Sequence, residues 1–209
     1  MSLSQKRITG MLFGNLLLGI AIGVLRIAEL GTDPFATMNL GVSSTLGLSF
    51  GFYSVLFNLL LFIFLFINSR ELIGFGTFIN MFLLGYTADL IVYLFQTMAI
   101  GEIGLGMRFL LLFVGVFISS TGLSLYVTAN LGVSPYDALP LMMQEMTNNR
   151  IPFGIARLIV DATAVLIGYF FGAVVGVGTL VVAVSLGPLV SVFNKYWFEP
   201  ILKPETLEK

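Results

Sequence analysis

Apolar residues run almost without interruption over 9–29, 52–69, 72–96, 108–129, 152–172 and 174–194. Each run is close to the length of about 20 residues that a helix needs to cross a bilayer. The pattern predicts six transmembrane helices and an all-α integral membrane fold. Two shorter segments, 34–46 and 135–147, follow the first and the fourth run. Phe35, Met38, Val42 and Leu46 share one helical face of the first segment, with Thr37, Ser43 and Ser44 elsewhere; Tyr136, Leu139 and Met143 share a face of the second. Neither segment is long enough to cross. Neither carries the Lys or Arg that holds a helix to lipid by charge. They are expected as short interfacial or re-entrant helices covering the two ends of the bundle, and their aromatic and Met stripes as packing faces.

Each short segment is entered through the same motif. Gly31-Thr32-Asp33-Pro34-Phe35 follows Ala28-Glu29-Leu30, and Gly132-Val133-Ser134-Pro135-Tyr136 follows Ala129-Asn130-Leu131. A glycine ends one helix, Asp33 or Ser134 caps the next, and proline takes the first helical position, where its fixed φ and missing N–H suit it. Gly31, Pro34, Gly132 and Pro135 are therefore structural breaks. The motifs stand 101 residues apart, and Gly19 and Gly23 are matched at that spacing by Ser120 and Ser124. Gly74-x-Gly76-Thr77 recurs as Gly176-x-Gly178-Thr179 and Gly85 as Gly187, both at 102; Gly51 and Asn58 recur as Gly154 and Asp161 at 103.

These matches predict a duplicated unit: residues 1–100 as a first three-span repeat, 101–198 as a second, and 199–209 as a soluble tail, forming one membrane domain. A Gly-rich loop over 99–106 joins the halves, and Tyr196, Trp197 and Phe198 form an interfacial aromatic belt. An odd number of spans turns the second repeat upside down, which gives the inverted repeats seen in many transporters.

Composition sharpens this picture. The chain is 57% hydrophobic and 10% charged, where a soluble domain carries about 25% charge. A net charge of −1 gives no basis for nucleic-acid binding. Without cysteine or histidine there is no disulfide, no thiolate metal site and no imidazole base; no cofactor, metal or enzymatic activity is expected. Lys6-Arg7 before an apolar run resembles a signal peptide. The run is too long for one and lacks a small-x-small cleavage site, so it is read as a retained span. With the N-terminus inside, Lys6, Arg7, Arg70, Arg150, Lys195, Lys203 and Lys209 gather in the cytoplasm, against Arg26 and Arg108 outside. Both termini are then cytoplasmic.

At the two Gly-x-x-Pro-aromatic breaks and the two Gly-x-Gly-Thr starts, over residues 8–198, the chain resembles the YczE/YyaS/YitT-like bacterial integral membrane proteins. The resemblance implies a bacterial inner-membrane location and a multi-span helical fold. It supplies no substrate and no catalytic residues.

Function must therefore be read from the polar residues within the spans, where a charge costs roughly 2.5–3.5 kcal/mol or more and so faces a partner or a cavity. Arg157 and Asp161 are four apart on one helical face, and Asn58 is the repeat mate of Asp161. Asp89 has no charged neighbour in sequence; it reads as an interfacial acid or as a titrating carboxylate raised by desolvation. Asn80 and Thr87 continue its lane, and Arg26 and Glu29 read as snorkelling residues. Asp33 and Ser134 are caps whose helix N-termini also suit an anion, while Asp137 opposes one, so the charge of a solute stays open. Candidate substrate contacts are Asn58, Arg157, Asp161, Ser134, Asp33 and Asp89. The expected function is transport of a small solute by alternating access between the inverted repeats. The alternative is a non-transporting scaffold or regulator that binds lipid or a partner protein. The expected partners are the lipid bilayer and a small-molecule substrate, and a homodimer is compatible with the sequence.

Overall fold

The computed structural model describes residues 3–98, 101 and 103–202. Residues 203–209 of the expected tail, with Lys203 and Lys209, and part of the 99–106 loop lie outside the described residues. The helices are α1 (Leu3–Ala28), α2 (Pro34–Leu46), α3 (Phe50–Asn68), α4 (Phe75–Thr97), α5 (Leu105–Ala129), α6 (Pro135–Met146), α7 (Phe153–Phe170), α8 (Val177–Phe193) and α9 (Glu199–Leu202). A π turn at Asn194–Phe198 joins α8 to α9. By length and apolar composition, α1, α3, α4, α5, α7 and the stretch Val177–Leu202 can each cross a membrane. The six expected spans are present. α1 starts six residues earlier than its apolar run, and the tail begins as α9, whose Leu202 is buried against Gly10.

Glycines set the helix contacts, because small residues let backbones approach within a membrane. α1 and α5 lie antiparallel: Gly14 faces Gly122, and Leu25 faces Gly115. A Cβ on Gly14 would stand 2.7 Å from the Gly122 carbonyl oxygen. Gly19 and Gly23 bring α1 onto Thr87 and Ile91 of α4, Gly51 meets Gly85 between α3 and α4, and Gly41 of α2 meets Gly168 of α7. A Cβ on Gly41 would stand 2.5 Å from the Gly168 carbonyl oxygen, whereas one on Gly187 meets nothing within 4 Å. Gly41→Ala is therefore expected to cost about 1–3 kcal/mol by overpacking, and Gly187→Ala to leave the melting temperature of the detergent-solubilised protein unchanged.

The two breaks are built alike. The helices stop three residues ahead of the expected glycines. α1 and α5 end at Ala28 and Ala129, and the left-handed turn falls first on Glu29 (φ 54°) and Asn130 (φ 50°). Gly31 (φ 104°) and Gly132 (φ 103°) then redirect the chain. A Cβ at Gly31 would strike the Thr179 hydroxyl, and one at Gly132 the backbone of Gly74. Each break is tied to the start of a helix in the other half. The Gly178 N–H donates to the Leu30 carbonyl and the Gly76 N–H to the Leu131 carbonyl, both at 2.7 Å. Two arginines, also 101 residues apart, complete the exchange. Arg7 Nε donates to the Ala129 carbonyl at 2.7 Å, and Arg108 pairs with Glu29 at 2.6 Å. A cation suits a helix C-terminus; Glu29, expected to snorkel, is held by this pair.

The short helices do not lie over opposite ends of the bundle. Their N-terminal ends meet inside it, with the Phe35 and Tyr136 rings 5.1 Å apart among Met38, Ala164, Phe57 and Val160. From there α2 runs toward the C-terminal end of α7, where Thr45 Oγ1 donates to the Phe171 carbonyl. α6 runs toward the C-terminal end of α3, where Met142 packs beside Leu65 and Ser69 bonds to Glu145. The physical reason lies in the breaks, which turn the chain back before each proline starts its helix.

Candidate functional site: an ion-pair ring between α6 and α7

The site begins at the cap of α6. Ser134 Oγ accepts the Asp137 N–H at 3.1 Å and donates its own proton to Asp137 Oδ2 at 2.6 Å. This leaves Asp137 Oδ1 facing α7, where it takes Arg157 NH1 at 2.8 Å. One turn on, Arg157 Nε reaches Asp161 Oδ2 at 2.8 Å, and the Tyr136 hydroxyl donates to Asp161 Oδ1 at 2.8 Å. The guanidinium carbon stands 5.5 Å from the centre of the Tyr136 ring, within cation–π range. Ser134, Asp137, Arg157, Asp161 and Tyr136 thus close a ring of charge-assisted bonds between α6 and α7.

Asp33 stands at the other break, at the end of α2 that meets the ring through Phe35 and Tyr136. Its carboxylate caps α2 by accepting the Ala36 N–H at 3.0 Å. Loss of hydration pushes the Asp33 carboxyl up to about 6; the Ala36 N–H opposes this, the charge of Asp161 adds to it, and Arg157 and Asp137 act with smaller weight in opposite directions. Across this centre α5 contributes Tyr126. Its buried hydroxyl lies beside Ser134 and within electrostatic reach of Asp137 without making a full hydrogen bond.

Of the candidates, Ser134, Arg157, Asp161 and Asp33 therefore come together. Asn58 occupies the buried face of α3 with Ser54. Its amide donates to the Ser54 carbonyl at 3.0 Å, and its own Oδ1 has no partner. Its neighbours Phe57 and Leu61 pack into the Tyr136 cluster, which places it beside the ring and not in it. Asp89 stands apart. It pairs with Arg26 at 2.7 Å and accepts the Gly51 N–H at 2.7 Å, so it clamps α1 and α4 to the start of α3. Asp89→Ala is expected to lower the melting temperature while leaving solute binding unchanged, because its partners all belong to this clamp.

The polar lane of Asn80 and Thr87 resolves into packing contacts. Asn80 Nδ2 donates to Asn15 Oδ1 at 2.7 Å, and Thr87 lies against Gly19. Sequence reasoning missed Asn15, Tyr136 as a bonding partner and Tyr126. Asn15 alone carried a signal, as an amide in the middle of an apolar run. Two open grooves, one over Phe64, Leu139 and Met142 and one over Gly10, Phe13 and Leu202, are lined mainly by apolar side chains and by none of the ring residues.

A family of unknown function, DUF6198, matches residues 5–195. An uncharacterized protein of Haemophilus influenzae is 26% identical over 192 residues, covering 90% of this chain and 83% of its own. The uncharacterized protein YyaS of Bacillus subtilis is 27% identical over 199 residues, 94% of each chain. The uncharacterized membrane protein YczE of the same organism is 25% identical over 173 residues, 80% of this chain and 77% of its own. No solved structure matches.

Proposed function

This chain belongs to the DUF6198 family and is a YczE/YyaS-like membrane protein, and we propose that it transports a small solute by alternating access between inverted repeats, 1–100 and 101–198. One observation carries this reading: two chain breaks present the N-terminal ends of two short helices to one another around the Arg157 ring. Discontinuous helices meeting at a charged centre are how many transporters build a solute site at the bilayer midplane. The antiparallel contact of α1 with α5 and the paired bonds at Leu30 and Leu131 support inversion of the halves. The bias of Lys and Arg supports cytoplasmic termini in a bacterial inner membrane.

Arg157 bound to both carboxylates, with Phe35 against Tyr136, corresponds to a closed state. Opening requires the ring to part between α6 and α7, or α2 to part from α6. Counterflow uptake in proteoliposomes across a solute panel tests the proposal: saturable uptake that Asp161→Asn abolishes is expected, and no uptake of any solute overturns it. A lipid-binding scaffold is the second reading, favoured by the two open apolar grooves. A stoichiometric co-purified lipid in a protein without flux supports it.

A further inference from the structure

The Arg157 ring is short of positive charge. Asp137 and Asp161 bond one guanidinium, Asp33 caps the neighbouring helix, whose Phe35 ring lies against Tyr136, and the N-termini of α2 and α6 supply roughly half a positive charge each. One positive charge is missing from the centre. A buried excess of one sign is costly unless it is paired. The surroundings also have the chemistry that holds a cation: carboxylate acceptors, the face of Tyr136 already serving the Arg157 guanidinium, and the Tyr126 hydroxyl, 1% exposed and without a full bond beside Ser134 and Asp137. An anion meets three carboxylates there. A bare metal ion lacks a converged ligand set, since among the described residues no three acidic groups stand close enough to hold one.

We infer that the ring binds a small monovalent organic cation, of the ammonium or guanidinium class, beside Arg157, against Asp137 and Asp161 and near the Asp33 cap. The inference deepens the transport reading and rests on the same site. The cation donates hydrogen bonds to carboxylate oxygens and to Tyr126 Oη, and its charge completes the balance that Arg157 alone leaves open.

The test is thermal unfolding of the full chain in detergent, titrated with methylammonium chloride and with methylguanidinium chloride. Potassium chloride at matched ionic strength and sodium acetate serve as controls. Saturable stabilisation by at least one organic cation is expected, beyond that of potassium chloride. Asp161→Asn weakens it at least tenfold. Tyr126→Phe, which removes one hydroxyl from a buried ring and keeps the packing, weakens it roughly fivefold to tenfold. Stabilisation by acetate in place of the cations overturns the inference, as does a cation effect no larger than that of potassium chloride or one untouched in Tyr126→Phe. Cation binding without flux in proteoliposomes leaves the site standing and removes the transport reading. Flux of another solute without cation binding does the reverse.

Discussion

Arg157→Ala abolishes solute uptake and lowers the unfolding free energy by about 3 kcal/mol. The guanidinium is the one cation of the ring, bonded at 2.8 Å to Asp137 on α6 and to Asp161 on its own helix. Its removal leaves two carboxylates facing each other without a counter-charge, and that penalty exceeds the value of the pair itself. The side chain is 30% exposed, which puts the cost at the lower end of the range for buried pairs. Arg157→Ala combined with Asp161→Asn recovers part of the stability and none of the uptake, because the double change relieves repulsion without restoring the bridge to α6. Chemical unfolding of the three variants measures the coupling, and proteoliposome uptake measures the function. Uptake equal to that of the unchanged protein in both Arg157→Ala and Asp161→Asn reduces the ring to a packing device.

The second large effect is on pH. The Asp33 carboxyl stands at about 6 against an ordinary 3.8, mainly because it loses hydration, with the Ala36 N–H and Arg157 opposing the rise and Asp161 and Asp137 adding to it. The folded chain therefore holds this proton more tightly than the unfolded chain. The stability that this gives is complete below about pH 3.8 and is lost as pH rises through about 6. The ligand-free protein is expected to lose melting temperature between about pH 5 and about pH 7. Asp33→Asn, which keeps a good helix cap and removes the charge, flattens that slope. The same ionisation deepens the deficit of positive charge at the ring, so organic-cation affinity rises over the same interval and loses most of its pH dependence in Asp33→Asn. Parallel pH profiles in the two proteins contradict this account of Asp33.

Much of the fold was legible in the sequence, because apolar runs and Pro-after-cap breaks are local signals. The two short helices start at Pro34 and Pro135, as the motifs required. The Arg157–Asp161 pair was legible for the same reason, being one helical turn apart. What could not be read was distance across helices. Asp137 and Tyr136 lie 20 and 25 residues from their partners on α7; in sequence one looked like a dipole-stabilising acid and the other like packing. Asp89 looked unpaired because Arg26 lies 63 residues away. The sequence left the short helices interfacial or re-entrant, since their inward position depends on two left-handed turns, one falling on Glu29 and the other on Asn130, residue types that leave no mark comparable to glycine.

The central claim is that the ring between α6 and α7, where the short helices meet, opens to either side of the membrane in turn. The chain has no cysteine, so a single Asn58→Cys on the face beside the ring reports directly on access. In right-side-out and in inside-out vesicles alike, a membrane-impermeant thiol reagent is expected to modify it, more slowly when an organic cation is present. Modification from one side only, or from neither, contradicts alternating access.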